Sequence, residues 1–144
     1  MVRGEDKDLQ RQNVELVKRA LEVSERDGFA GLAAQFDSFF HPEFEWTPRM
    51  VGFGERTYRG REGFDGYVHD VAETVGEVSF SASDVHAVGD DRVLALGRVR
   101  LVGRESGLPL EDEYGILYLL EGGRMVSARA FLSHAEAEEA AADA

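Results

Sequence analysis

The order of the apolar patterns constrains this chain most. Helical periodicity fills the front half, and four strand-like runs separated by turn residues fill positions 78–133. Helices first, then a meander folding back over them, is the sequence form of a one-domain α+β cup. In residues 9–27, Val14, Val17 and Leu21 recur at helical spacing, with Leu16, Ala20 and Val23 widening the stripe and charged residues opposite. Asp27-Gly28 ends this helix. Phe29, Leu32, Phe36 and Phe40 then repeat every three or four positions and predict a second, strongly aromatic helix. It stops at His41-Pro42, because the residue before a proline disfavours helical geometry. Residues 43–47 predict a short strand carrying the only tryptophan, Trp46, and residues 49–59 a loop with Gly52 and Gly54 as its mobile points. Gly60-Arg61-Glu62 opens a third helix, in which Phe64, Tyr67, Val68, Val71 and Val75 share one side and which Gly76 ends.

The strands are expected at 78–88, 92–102, 113–120 and 125–132. Gly89-Asp90-Asp91 and residues 121–124 serve as hairpin turns, since Gly and Asp tolerate the positive φ such turns need. Residues 104–109 form a longer exposed hairpin, and Ser133 is the N-cap of a last helix, 134–142.

A length of 144 residues suits one domain, residues 1–144, with an ordered core of about 9–140. Hydrophobic residues at 43% and charged residues at 31% strike a globular balance. No apolar run is long enough to cross a bilayer, and the charged N-terminus has no signal-peptide core, so no membrane partner and a cytoplasmic location are expected. The lack of cysteine excludes disulfides, thiol nucleophiles, iron–sulfur clusters and thiolate zinc sites. The net charge of −12 opposes phosphate backbones, so nucleic acid is not an expected partner. His41, His69, His86 and His134 show no metal-ligand spacing, and Gly52, Gly54, Gly60 and Gly63 lack the Lys-Ser/Thr ending of a phosphate cradle. Neither metal nor cofactor is expected.

Strand alternation places Tyr114, Ile116, Tyr118 and Leu120 in one row and Gly115, Leu117 and Leu119 in the other. Both rows are apolar, so the sheet must be covered twice: once by its own helices, and once most simply by a second copy of the chain. A homodimer through the outer sheet face is therefore expected. In the next strand Met125, Ser127, Arg129, Phe131 and Ser133 oppose Val126, Ala128, Ala130 and Leu132; in the strand at 92–102, Arg98 and Arg100 share a row with Leu94 and Leu96.

Several segments together resemble a known family. The helix ending at His41-Pro42 followed by Glu45-Trp46, the run Tyr58-Arg59-Gly60-Arg61-Glu62-Gly63, and Gly89-Asp90-Asp91-Arg92-Val93 are similar to the SnoaL-like branch of the nuclear transport factor 2 superfamily. So are Arg98-Val99-Arg100, Ser106-Gly107, and Gly123-Arg124-Met125-Val126 leading to Phe131-Leu132. The resemblance spans nearly the whole chain. It implies a cone of curved, mixed or antiparallel sheet wrapped around three N-terminal helices, usually dimeric, with a pocket inside. The superfamily holds polyketide cyclases, ketosteroid isomerases and epoxide hydrolases beside members that only bind or scaffold, so fold alone does not choose an activity. Where such sequences often carry a working aspartate and histidine, this chain has Ser133 and Ile116.

The expected ligand is a small apolar molecule in the cone. Acid–base chemistry of the isomerase, cyclase or hydrolase type stands beside a non-catalytic binding module and an interaction domain with a filled cone. Asp112, in the row of Tyr114 and Tyr118, is a candidate base or else a rim carboxylate; Asp84 and His86 could be a base with its orienting partner or mere edge polarity. Arg129 could bind an oxyanion or pair with Glu113 or Asp112. Arg98 and Arg100 suit cross-strand pairing with the acidic hairpin. Trp46, Tyr58, Tyr67, Tyr114, Tyr118 and Phe131 are candidate ligand-binding residues, their phenols able to donate to a ligand carbonyl, with core packing as the alternative for each.

Overall fold

The computed structural model describes residues 6–49, 56–103 and 109–143; Gly52, Gly54 and Ser106-Gly107 lie outside them. Helix α1, Lys7–Ala34, starts at Asp6, whose carboxylate accepts from the backbone N–H groups of Asp8 and Leu9 at 3.1 Å each. The two helices expected around Asp27-Gly28 are joined through a kink at Gly28, whose φ of +74° suits a residue without a Cβ. The aromatic helix is shorter than its periodicity suggests. A single turn, α2 (Phe36–Phe39), gives way at Phe40 to strand β1, Phe40–Thr47. Pro42, which has no N–H for a ladder, falls where the pairing of β1 shifts register between Phe40 and Glu45.

Next come β2 (Tyr58–Arg59) and α3 (Gly60–Thr74), then β3 (Gly76–Val88), β4 (Arg92–Gly103), β5 (Pro109–Glu121), β6 (Arg124–Phe131) and α4 (His134–Ala142). The six strands form one sheet in the order β2-β1-β6-β5-β4-β3. All pairs are antiparallel except β1 with β6. The concave face packs on α1 and α3 around Phe36, Phe40, Phe44 and Phe64, whose ring centroids lie 4.2 to 6.3 Å apart. The opposite end of α1 is pinned to the β3–β4 turn. Asp6 N–H and Gln10 Nε2 donate to Asp90 Oδ1 at 2.9 and 3.2 Å, and buried Asn13 donates to the Asp90 carbonyl at 2.9 Å.

Two findings change the expected faces. The pairing of β5 with β6 slips between Leu119 and Leu120: Leu119 faces Ser127, but Leu120 faces Met125. This bulge leaves Val126 as an extra residue and turns Met125 into the core, while Ser127, Arg129 and Phe131 point outward. Met125 thus leaves the row that simple alternation assigns it. The second finding concerns the outer face, where the chain's own α4 covers the apolar centre. Leu94, Leu96 and Phe131 pack there with Ala137 and Ala141, and partly buried Leu117 joins them. Ser133 caps α4 by accepting from the Glu136 N–H at 3.1 Å, and His134 binds the sheet on both sides, its N–H to Glu113 Oε1 at 2.9 Å and its Nε2 to the Gly97 carbonyl at 2.7 Å.

Candidate functional site

The helices leave the tapering inside of the sheet partly unfilled, enclosing a cavity of about 440 Å³. That size lies in the usual range for small-molecule sites. From α1 come Leu21, Phe29 and Leu32, and from α3 Phe64 and Tyr67; the sheet contributes Trp46, Phe80, Tyr114, Ile116 and Tyr118. Arg49, Leu110, Glu111, Asp112 and Glu113 also line the cavity, and of these Leu110 and the three carboxylates are exposed, which marks them as the mouth. Period-two alternation built this wall. Tyr114, Ile116 and Tyr118 are the inward row of β5, opposite Gly97, Ala95 and Val93 on the inward row of β4.

Most of the lining is apolar, and its few polar side chains differ in how they are occupied. Ser24 donates to the Leu21 carbonyl at 2.9 Å. The Tyr114 hydroxyl donates to the Arg49 carbonyl at 2.7 Å and accepts from the Arg49 N–H at 3.1 Å. Tyr67 and Tyr118 make no such bond to a carbonyl or carboxylate among the described residues. The Trp46 indole stands edge-on to the Tyr67 ring at 5.7 Å. Its buried Nε1–H finds no acceptor in hydrogen-bond geometry among the described residues. Burial pushes Tyr67 well above the ordinary phenol value. Burial likewise raises Tyr118, and it pushes Tyr114 up to about 12 against the opposing hydrogen bond and charge of Arg49. Near neutral pH all three are uncharged donors.

Of the residues singled out in the sequence, Trp46, Tyr67, Tyr114 and Tyr118 line the cavity. Asp112 sits at the mouth, exposed, its Oδ1 accepting the Glu113 N–H at 2.8 Å. The others lie elsewhere. Tyr58 packs behind Tyr67, with ring centroids 5.3 Å apart, and its hydroxyl points to Asp70 Oδ2 at 3.4 Å under the Arg56 guanidinium. Phe131 is buried on the outer face beneath α4, because the β6 bulge fixes its direction. Arg129 follows the same direction, exposed, with its guanidinium 5.3 Å from the Phe131 ring centroid. Asp84 and His86 do come together, Oδ2 to Nδ1 at 3.1 Å, but on the exposed outer side of β3 facing Leu96 and Leu94 across the ladder. Arg98 and Arg100 approach Glu111 at 3.6 and 3.8 Å across strands. Of the two positions without the expected acid and base, Ile116 lines the cavity and Ser133 caps α4. Phe29, Phe80 and Arg49 join the wall without having been singled out; Phe80 was legible as the inward alternate of Val78, whereas nothing local marks Arg49.

Among the described residues no group of three His, Asp or Glu could hold a metal ion, and no helix is long and apolar enough to cross a membrane.

A tapered mixed sheet over three helical segments, hollow at its centre, defines a cone-shaped α+β protein of the nuclear transport factor 2 type. A family model described as a SnoaL-like domain matches residues 17–128, and the chain belongs to that family. Among solved structures, an NTF2-like protein of unknown function from Burkholderia pseudomallei K96243 is 21% identical, with 87% of this chain and 93% of that one aligned at a TM-score of 0.70. TerC, co-crystallized with polyporic acid, is 16% identical, with 91% and 98% aligned at 0.70. A protein provisionally described as a SnoaL-like polyketide cyclase from Jannaschia sp. CCS1 is 19% identical, with 98% and 96% aligned at 0.69. At these identities the likeness is one of fold. No curated protein matches the sequence.

Proposed function

We propose that the cone binds a small, largely apolar molecule. The observation that carries this reading is the aromatic cavity of about 440 Å³, whose mainly apolar wall carries three uncharged phenols, the Ser24 hydroxyl and the Arg49 guanidinium. The co-crystallization of TerC, a protein of the same fold, with polyporic acid agrees with such a role. A ligand that binds only the folded chain stabilises it, by about 2.7 kcal/mol at a hundredfold excess over Kd. Screening small aromatic compounds for a rise in melting temperature therefore tests the reading; a library that leaves the transition unmoved speaks for an interaction domain instead.

A second reading adds acid–base chemistry, and it is favoured by one placement: Asp112 is the only candidate base from the sequence that borders the cavity. Removing a proton beside a carbonyl needs a carboxylate within hydrogen-bond reach of the bound molecule. Once a ligand is known, Asp112→Asn separates the alternatives. Loss of turnover with binding retained makes Asp112 the base, whereas a bound but unaltered ligand in the native protein makes the chain a binding module.

A further inference from the structure

We infer that the cavity is built for a ligand presenting an uncharged acceptor oxygen, and that the Tyr67 hydroxyl donates to it. This rests on the small-molecule reading above and adds the class of ligand and the group that holds it.

The argument follows from counting protons and lone pairs. A phenol has one O–H to give, while an indole can only donate. Among the cavity's inner polar side chains, Ser24 and Tyr114 already give their protons to backbone carbonyls, of Leu21 and Arg49 respectively. The Tyr67 and Tyr118 protons have no such carbonyl among the described residues. Tyr67 lines the cavity beside the Trp46 indole, the two rings edge-on with centroids 5.7 Å apart. The ring itself cannot swing freely, being held between Phe29 at 5.9 Å, Tyr58 at 5.3 Å and Phe64 at 6.2 Å. Tyr118, buried on the neighbouring wall, offers a second donor. A pocket that gives protons from an apolar wall needs an acceptor from its ligand, since a donor left unmatched on burial costs free energy. The acceptor is uncharged because the net charge of −12 and the three carboxylates Glu111, Asp112 and Glu113 at the mouth outweigh the single guanidinium of Arg49 in the lining and oppose an entering anion.

Three naphthalene probes test this: acetylnaphthalene, a ketone; ethylnaphthalene, nearly the same shape without the oxygen; and naphthoate, the anion. Their affinities for the native chain are measured by probe fluorescence. The ketone is expected to bind roughly fivefold to tenfold more tightly than ethylnaphthalene, and naphthoate more weakly than the ketone. Tyr67→Phe should remove the ketone's advantage and leave ethylnaphthalene binding as it was. Tyr58→Phe, behind the wall, should keep the advantage. Equal affinities for ketone and hydrocarbon in the native chain, tightest binding of naphthoate, or an advantage that survives Tyr67→Phe would each overturn the inference while leaving a binding cavity in place. Failure of all three probes to bind would overturn the inference together with the small-molecule reading.

Discussion

The Tyr114 hydroxyl holds both backbone polar groups of Arg49, donating at 2.7 Å and accepting at 3.1 Å. Tyr114→Phe keeps the ring and its edge-on contact with Phe80 but leaves the Arg49 pair to find water, which should cost about 1–2 kcal/mol in urea unfolding. The three buried phenols also set a pH dependence. In each the folded pKa is raised, so the neutral form is the one the fold favours. Their contribution to stability is intact below the unfolded phenol value of about 10 and is lost as pH rises through the folded values, about 12 for Tyr114. Stability should therefore fall with pH only above roughly 10 on this account, and phenolate absorbance of the native chain should appear later than that of the unfolded chain. A native titration that coincides with the unfolded one would contradict the burial of these hydroxyls.

At the scale of elements, α4 is the part most exposed to test, because one glycine sets its approach. A Cβ on Gly115 would stand 2.6 Å from the Ala137 Cβ and 3.2 Å from Leu96 Cδ2, so Gly115→Ala must lift the helix. The expected loss is about 1–3 kcal/mol, read by denaturant unfolding. Removing residues 134–144 should do something different: it bares Leu94, Leu96 and Phe131 together, and light scattering should report concentration-dependent association. Most elements were legible, because periodicity is a local property; the exceptions are the aromatic helix, which shrinks to the turn Phe36–Phe39, and β2 at Tyr58–Arg59, which lies in the stretch expected as a loop. The alternate Tyr114, Ile116 and Tyr118 could be assigned to one face from spacing alone, and all three line the cavity. Where alternation misled, at Met125, the cause was a single extra residue in β6 that only pairing with β5 reveals.

For the whole molecule, a second copy on the outer face would meet α4 over the apolar centre and, around it, the pairs of Arg59 with Glu45 at 2.6 Å, Arg98 and Arg100 with Glu111, and Asp84 with His86. A pair of chains joined through this surface would be held largely by charge and should dissociate as salt rises, since a Debye length of about 8 Å at physiological ionic strength shrinks to about 3 Å at 1 M. Sedimentation of the full chain across that range decides the matter: a dimer indifferent to salt would place the interface elsewhere.

What the sequence determined by itself was the order of helices before strands, most of the elements, the family, and which aromatic residues share a face, because these follow from spacing along the chain and from short motifs. The tertiary structure decided depth and sidedness. It put Tyr67 on the cavity wall and Tyr58 one layer behind it, sent Arg129, Phe131 and the Asp84–His86 pair to the outer side of the sheet, and laid α4 over the outer apolar centre. The physical reason is that parity relates a residue only to its own strand, whereas register shifts, the kink at Gly28 and the space between curved sheet and helices come from contacts between segments far apart in sequence.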